Sequence, residues 1–109
     1  MINNLFKVKY LEDGIKLYTP SKFTDERGEI WTIFKSEYFD DKIKFNHDRV
    51  TYAYKNTLRG FHGDKKTWKL ISCLYGEVYC VIINYNKKSK NYLKKYEFKI
   101  NNKNKRIII

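Results

Sequence analysis

Three observations predict an all-β fold of the barrel or jelly-roll kind. Ten tyrosines, seven phenylalanines and two tryptophans among 109 residues favour pleated sheet surfaces and exclude a disordered chain. Short apolar runs recur at close spacing with clusters of polar turn residues between them. No segment holds a helical period for more than about two turns. The length fits one domain, 1–109, with 42% hydrophobic content for one modest core.

The elements follow in order. Residues 5–10 and 15–19 read as two short strands around Glu12-Asp13-Gly14. Pro20 and Ser21 open a turn, residues 23–28 form a polar turn, and 29–34 read as a strand. The charged stretch 35–42 reads as a short helical turn or a loop. Residues 45–54 read as a strand that contains His47, Asp48 and Arg49, and Lys55-Asn56-Thr57 turns the chain. Residues 92–100 alternate as a strand after the polar turn 86–91. A further strand starts at Arg106 and runs into Ile107-Ile108-Ile109, so the sheet is expected to be incomplete at its C-terminal side.

The central stretch is 58–85, which holds one of the two histidines and the longest apolar run. It reads as a hairpin of strands 68–75 and 78–85 around Gly76-Glu77, because glycine takes the positive φ of a type II′ turn freely. That register pairs Cys73 with Cys80 and Ile71 with Ile82, and places Lys69 on the same face. The other face carries Leu70, Leu74, Val81 and Ile83, so both faces are expected to be covered. A lysine on an apolar face is costly unless it reaches water or a partner. Lys69 therefore either snorkels at the strand end or points into a ligand cavity.

The formal net charge is +11, and 87–106 holds nine basic residues against one acidic residue, Glu97. No nucleic-acid-binding signature accompanies that stripe, and abundant Lys, Asn, Ile and Tyr suit a general compositional bias, so no nucleic-acid partner is expected. Two cysteines, no signal peptide and no long apolar span predict a soluble cytoplasmic protein with no membrane partner. Cys73 and Cys80 are expected as reduced thiols, although opposed positions make a bridge geometrically conceivable. No metal is expected: there is no Cys/His cluster at ligand spacing, and His62 has no partner two residues away. No Gly-rich nucleotide loop precedes a helix, so no nicotinamide or flavin cofactor is expected.

Several motifs taken in order resemble one family. Phe23-x-Asp25-x-Arg27-Gly28, Leu58-Arg59-Gly60-Phe61-His62, Lys69-Leu70 and Gly76-Glu77-Val78 resemble the dTDP-4-dehydrorhamnose 3,5-epimerase family of cupin-fold sugar epimerases. The wording at 27–32, at 44–48 and at 62–70 looks like the branch acting on GDP-linked 6-deoxy-4-keto-heptoses. The resemblance covers about 15–109 and implies a cupin-like jelly roll, a homodimer, a role in surface polysaccharide biosynthesis, and a dTDP- or GDP-linked sugar as substrate. It implies epimerisation at C3, C5 or both: a base removes a proton acidified by the 4-keto group, and a proton returns on the other face. By the same resemblance His62 is the base and Lys69 supports the enolate oxygen. Arg27, Glu29, His47 and Arg59 match substrate-binding positions, where guanidinium forks suit diphosphate oxygens.

The chain also departs from the family. Cys80, Asn84 and Asn86 stand where the rhamnose enzymes carry two aspartates and an arginine. The family's general-acid tyrosine, and the acidic group that orients its base, fall beyond Ile109. The chain therefore resembles the N-terminal two-thirds of such an enzyme. A second function follows from that: a non-catalytic cupin-like remnant that binds nucleotide sugar or a partner subunit.

Overall fold

The computed structural model describes residues 5–39 and 42–108. Asp40 and Asp41 of the 35–42 stretch, and Ile109 of the last strand, lie outside them. The described residues are mostly strand, turn and irregular chain, with 3-10 turns at Glu12–Gly14 and Ser36–Tyr38. The strands are β1 (Phe6–Tyr10), β2 (Lys16–Pro20), β3 (Lys22–Asp25), β4 (Gly28–Trp31), β5 (Ile71–Ser72), β6 (Glu77–Ile83), β7 (Lys95–Asn101) and β8 (Ile107–Ile108).

One sheet has the order β1-β2-β8-β5, antiparallel throughout. β1 and β2 turn at Asp13 (φ 62°) and Gly14 (φ 79°), and the Leu11 N–H donates to the Ile15 carbonyl at 2.8 Å to close the loop. Two successive left-handed residues suit Gly, and Asp tolerates one. The register Val8↔Tyr18 and Tyr18↔Ile107 puts Phe6, Val8, Tyr18 and Ile107 on one face. There they meet Phe39, with the Phe6 and Tyr18 rings edge-to-face at 5.6 Å. The opposite face presents Leu17 and Ile108 to a second core with Cys73, Ile100, Cys80, Ile82 and Phe98.

That second core is shared with the two-stranded sheet β6-β7. Cys80↔Phe98 and Ile82↔Tyr96 line its inner face with the fully buried Ile100, whose partner Val78 lies at the exposed end. Burial raises the Cys80 thiol above its ordinary pKa, and both cysteines are free thiols. β3 and β4 form a separate hairpin.

Three expectations need correction. Residues 23–28 are not all turn: Phe23, Thr24 and Asp25 belong to β3 and pair with β4, and only Glu26 and Arg27 turn. The hairpin 68–85 does not form: β5 pairs with β8, and β6 pairs with β7. Gly76 does take positive φ (80°), but it carries the chain from one sheet to the other. The seven-residue β6–β7 ladder, with apolar pairs on its inner face, outweighs a two-residue turn. The facial assignment survives the change of partner, since Cys73, Cys80 and Ile82 all enter one core. The strand expected at 45–54 is also absent; the whole run 43–70 carries no strand pairing. Among the described residues no strand lies against it, and without a ladder its backbone gains nothing from extension. Val50, Tyr52, Tyr54 and Leu58 are 89%, 78%, 78% and 92% exposed.

The surface reflects this. The accessible area is 9618 Å², where a compact monomer of 13.3 kDa has about 6,500 Å². The radius of gyration is 15.2 Å against roughly 13 Å for a compact chain of this length.

A polar clasp ties the first turn to the β6–β7 connection. The Tyr96 hydroxyl donates to Asp13 Oδ2 at 2.6 Å, and Asn91 Nδ2 donates to Glu12 Oε2 and Asp13 Oδ1 at 2.8 and 3.1 Å. Lys94 pairs with Glu12 at 3.1 Å. The Tyr96 bond, then the Asn91 bond, hold Asp13 below its ordinary 3.8. Burial, then the bond to Asp13, push Tyr96 up to about 12. A depressed carboxyl stabilises the fold above its unfolded value and loses that contribution as pH falls through its folded value. Tyr96→Phe is thus expected to lower the urea midpoint at pH 7 and to shrink the fall in midpoint between pH 5 and pH 3. Equilibrium unfolding of both proteins across that range checks it.

Candidate active site

Asp64 organises the loop between the central histidine and lysine. Its Oδ1 accepts the backbone N–H groups of Lys66 and Thr67 at 2.8 and 2.7 Å, and Thr67 Oγ1 donates to Oδ2 at 2.8 Å. An aspartate that bonds its own chain two and three residues on makes a local turn without other support. The Lys66 N–H, followed by the bonds from Thr67, holds the Asp64 carboxyl below its ordinary value; the Lys69 charge adds less. The chain folds back, and Lys69 Nζ stands 3.4 Å from His62 Nδ1.

An ammonium only donates, so this contact uses Nδ1 as the acceptor and leaves the neutral ring's proton on Nε2. Both side chains are exposed. Lys69 lies just before β5 and reaches neither core; its ammonium meets the imidazole in the open. Cation and imidazole on one edge make an arrangement that can take a proton and steady an adjacent oxyanion.

The remaining candidates lie apart from this pair. Arg27 caps the β3–β4 turn: its N–H donates to Asp25 Oδ1 at 2.8 Å, and Nη2 meets Oδ2 at 2.7 Å. The Arg27 guanidinium, through those side-chain bonds, lowers the Asp25 carboxyl. Glu29 on β4 pairs with Lys22 at 3.6 Å and with Lys105 at 3.4 Å. His47 and Arg59 are exposed on the unpaired run 43–70. Among the described residues no hydrogen bond or ion pair links any of these four to His62 or Lys69. A groove of about 370 Å³ near Lys7, Leu17, Phe98 and Arg106 contains no candidate residue. Another of about 320 Å³ is lined by Lys22, Glu29, Trp31, Leu74 and Lys105. No group of three or more His, Cys, Asp or Glu among the described residues could hold a metal ion. No helix among them is long and apolar enough to cross a membrane.

The profile of the dTDP-4-dehydrorhamnose 3,5-epimerase family matches residues 11–109. The chain belongs to that family.

Two curated relatives carry the same family name. The dTDP-4-dehydrorhamnose 3,5-epimerase of Salmonella typhimurium is 29% identical over 92 residues, 78% of this chain and 50% of the relative. That of Methanothermobacter thermautotrophicus is 29% identical over 90 residues, 78% of this chain and 49% of the relative. The chain thus spans about half the length of the curated relatives it matches. The solved dTDP-4-dehydrorhamnose 3,5-epimerase of Sulfolobus tokodaii superposes with TM-score 0.83 at 24% identity, over 96% of this chain and 62% of that one. The Elizabethkingia anophelis structure gives 0.81 at 25% identity with the same coverage. The architecture is accordingly a cupin-like β fold.

Three residues escaped the sequence reading. Asp64 and Thr67 close the loop, and the Asp-x-x-Thr spacing is the signal that finds them. Lys105 grips Glu29 from 76 positions away, and no local pattern announces it. Asp64→Ala is expected to speed hydrogen exchange at the Lys66 and Thr67 amides severalfold, because both lose their charged acceptor. The nuclear Overhauser contacts between the His62 ring and the Lys69 side chain should weaken in the same variant. Exchange measured by NMR on both proteins decides it.

Proposed function

We propose that this chain carries the base-bearing part of a 3,5-epimerase for a 4-keto-6-deoxy sugar linked to dTDP or GDP. One observation supports it above others: a loop that closes on itself sets Lys69 against His62. In this reading His62 is the base that removes the C3 or C5 proton. Lys69 now occupies the Nδ1 lone pair. A 4-keto oxygen entering beside it draws the ammonium away, which frees that lone pair and places a cation where enolate charge develops. Arg59 and Arg27 hold the diphosphate, and Glu29 and His47 contact the remainder of the nucleotide sugar. The product serves surface polysaccharide synthesis, and the resemblance at 44–48 and 62–70 favours the GDP-heptose branch.

The active unit in this reading is a homodimer. About 3,000 Å² of surface beyond that of a compact monomer, with 43–70 and the β3–β4 hairpin largely exposed, supports association. The same exposure favours a second reading: a non-catalytic remnant that binds nucleotide sugar or a partner subunit.

Nucleotide binding is tested by melting. GDP or dTDP should raise Tm of the wild-type chain, because a ligand of the folded state stabilises it, and Arg59→Ala should lose most of the shift. An equal shift in Arg59→Ala would place the diphosphate elsewhere.

Chemistry is tested by proton NMR of a 4-keto-6-deoxy nucleotide sugar in heavy water. A base alone exchanges the acidified proton, even where inversion needs a donor on the opposite face. Wild-type protein should wash deuterium into C3 or C5, and His62→Asn should slow this by about 10²-fold or more. Lys69→Met should slow it as well. Equal rates in wild type and His62→Asn would falsify the base assignment and leave the remnant reading.

A further inference from the structure

Lys105 is the buried charged residue among those described, only 7% exposed. Its ammonium lies 4.2 Å from the centroid of the Trp31 ring, pairs with Glu29 Oε2 at 3.4 Å and donates to the Asn102 carbonyl. A buried ammonium persists only where its protons are matched, and here a carboxylate, a carbonyl and a π face match them. Two of the three partners sit on β4, so the contact joins the β3–β4 hairpin to the turn after β7.

That turn is built to deliver the lysine. Asn101 Oδ1 accepts the Lys103 and Asn104 N–H groups at 3.0 and 2.8 Å. Asn104 Oδ1 accepts the Asn101 and Arg106 N–H groups at 3.1 and 3.2 Å, and its Nδ2 donates to the Lys99 carbonyl at 3.0 Å. Asn102 N–H donates to the Gly76 carbonyl at 3.2 Å. Lys105 itself takes a left-handed φ of 52°, and after Arg106 the chain enters the core with the buried Ile107 and Ile108. The turn is thus fixed on both sides, and the lysine is its projecting arm.

The hairpin has little else to hold it. Its strands pair with each other, and their side chains are exposed apart from the partly buried Trp31. It nevertheless carries Arg27 and Glu29. We infer that Lys105 is a positioning residue: it docks the β3–β4 hairpin and fixes the Glu29 carboxylate for the nucleotide end of the substrate. The second half of that statement rests on the proposed function; the docking does not. Lys105 takes up Oε2 of Glu29 and covers one face of Trp31, while Oε1 pairs at 3.6 Å with the more exposed Lys22, beside the groove lined by Lys22 and Leu74 where a ligand would compete only with that surface pair.

Hydrogen exchange and nucleotide binding, measured on the full chain, separate the two halves. In Lys105→Met the amides of 22–31 should exchange at least tenfold faster, while Ile100 and β6 keep their protection. The Kd for GDP or dTDP, whichever binds wild type, should rise at least tenfold. Lys105→Arg, which keeps the charge and the π contact, should restore both. If Lys105→Met fails to fold, Trp31→Leu removes the same contact from the hairpin side and should release 22–31 alike. Unchanged exchange of 22–31 in a folded variant overturns the docking. Faster exchange with unchanged Kd overturns the positioning of Glu29. Wild-type protein that binds neither nucleotide overturns the proposed function instead, and the exchange data then judge the docking by themselves.

Discussion

The two isoleucines of β8 are the constraint on which the rest of the structure depends. Ile107 and Ile108 are 0% and 1% exposed, on a strand of two residues set between β2 and β5. Their side chains point to opposite faces, so Ile107 fills the core with Phe6, Tyr18 and Phe39, and Ile108 fills the core with Ile15, Cys73 and Ile100. Fully burying an aliphatic side chain contributes about 1.5–3 kcal/mol. Truncating one to alanine costs about 2–5 kcal/mol with its cavity. Two residues therefore join two cores and two strands that are distant in sequence. β5 exists only because β8 lies beside it, and β5 in turn sets where Lys69 emerges.

This dependence explains what the sequence could and could not tell. Local signals placed the elements: short apolar runs around the Glu12-Asp13-Gly14 turn located β1 and β2, and alternation located β7. Parity along the chain grouped Cys73, Cys80 and Ile82 on one side, and the structure keeps them there. Pairing is another matter. Gly76-Glu77 offers good chemistry for a hairpin turn, but the choice of partner is settled by ladders with 95–101 and 107–108, and a turn motif carries no information about them. The strand expected at 45–54 failed for the converse reason. Val50, Tyr52 and Tyr54 alternate as a strand should, yet among the described residues none pairs with them. Alternation states a capacity to pair, and a partner has to realise it.

The candidate site divides along the same line. His62 and Lys69 are brought together by contacts spanning three residues around Asp64, so their proximity needs little from the rest of the fold. Their motif was legible because it lies in one short stretch of sequence, although the Asp64 turn that closes it was not. Arg27 is held as locally by Asp25, two positions back. Glu29 differs: its carboxylate is gripped by Lys105, which arrives through a turn that only the completed β7 and β8 can place.

The basic stripe gains a physical meaning from these placements. Within 87–106, Lys94 pairs with Glu12, Lys95 with Glu97, and Lys105 with Glu29. The first and last of those pairs cross between elements far apart in sequence: one ties the β1–β2 turn to the β6–β7 connection, the other docks β3–β4. Surface pairs contribute little each, usually about 0–1 kcal/mol, so Lys94 and Lys95 are minor contributors to stability. Lys105 differs because it is buried, where losing its partners would strand a charge. A compositional excess of lysine thus includes one position, following an asparagine-built turn, where the charge itself is structural. The local order of that turn and the long-range order of the hairpin meet at a single ammonium group.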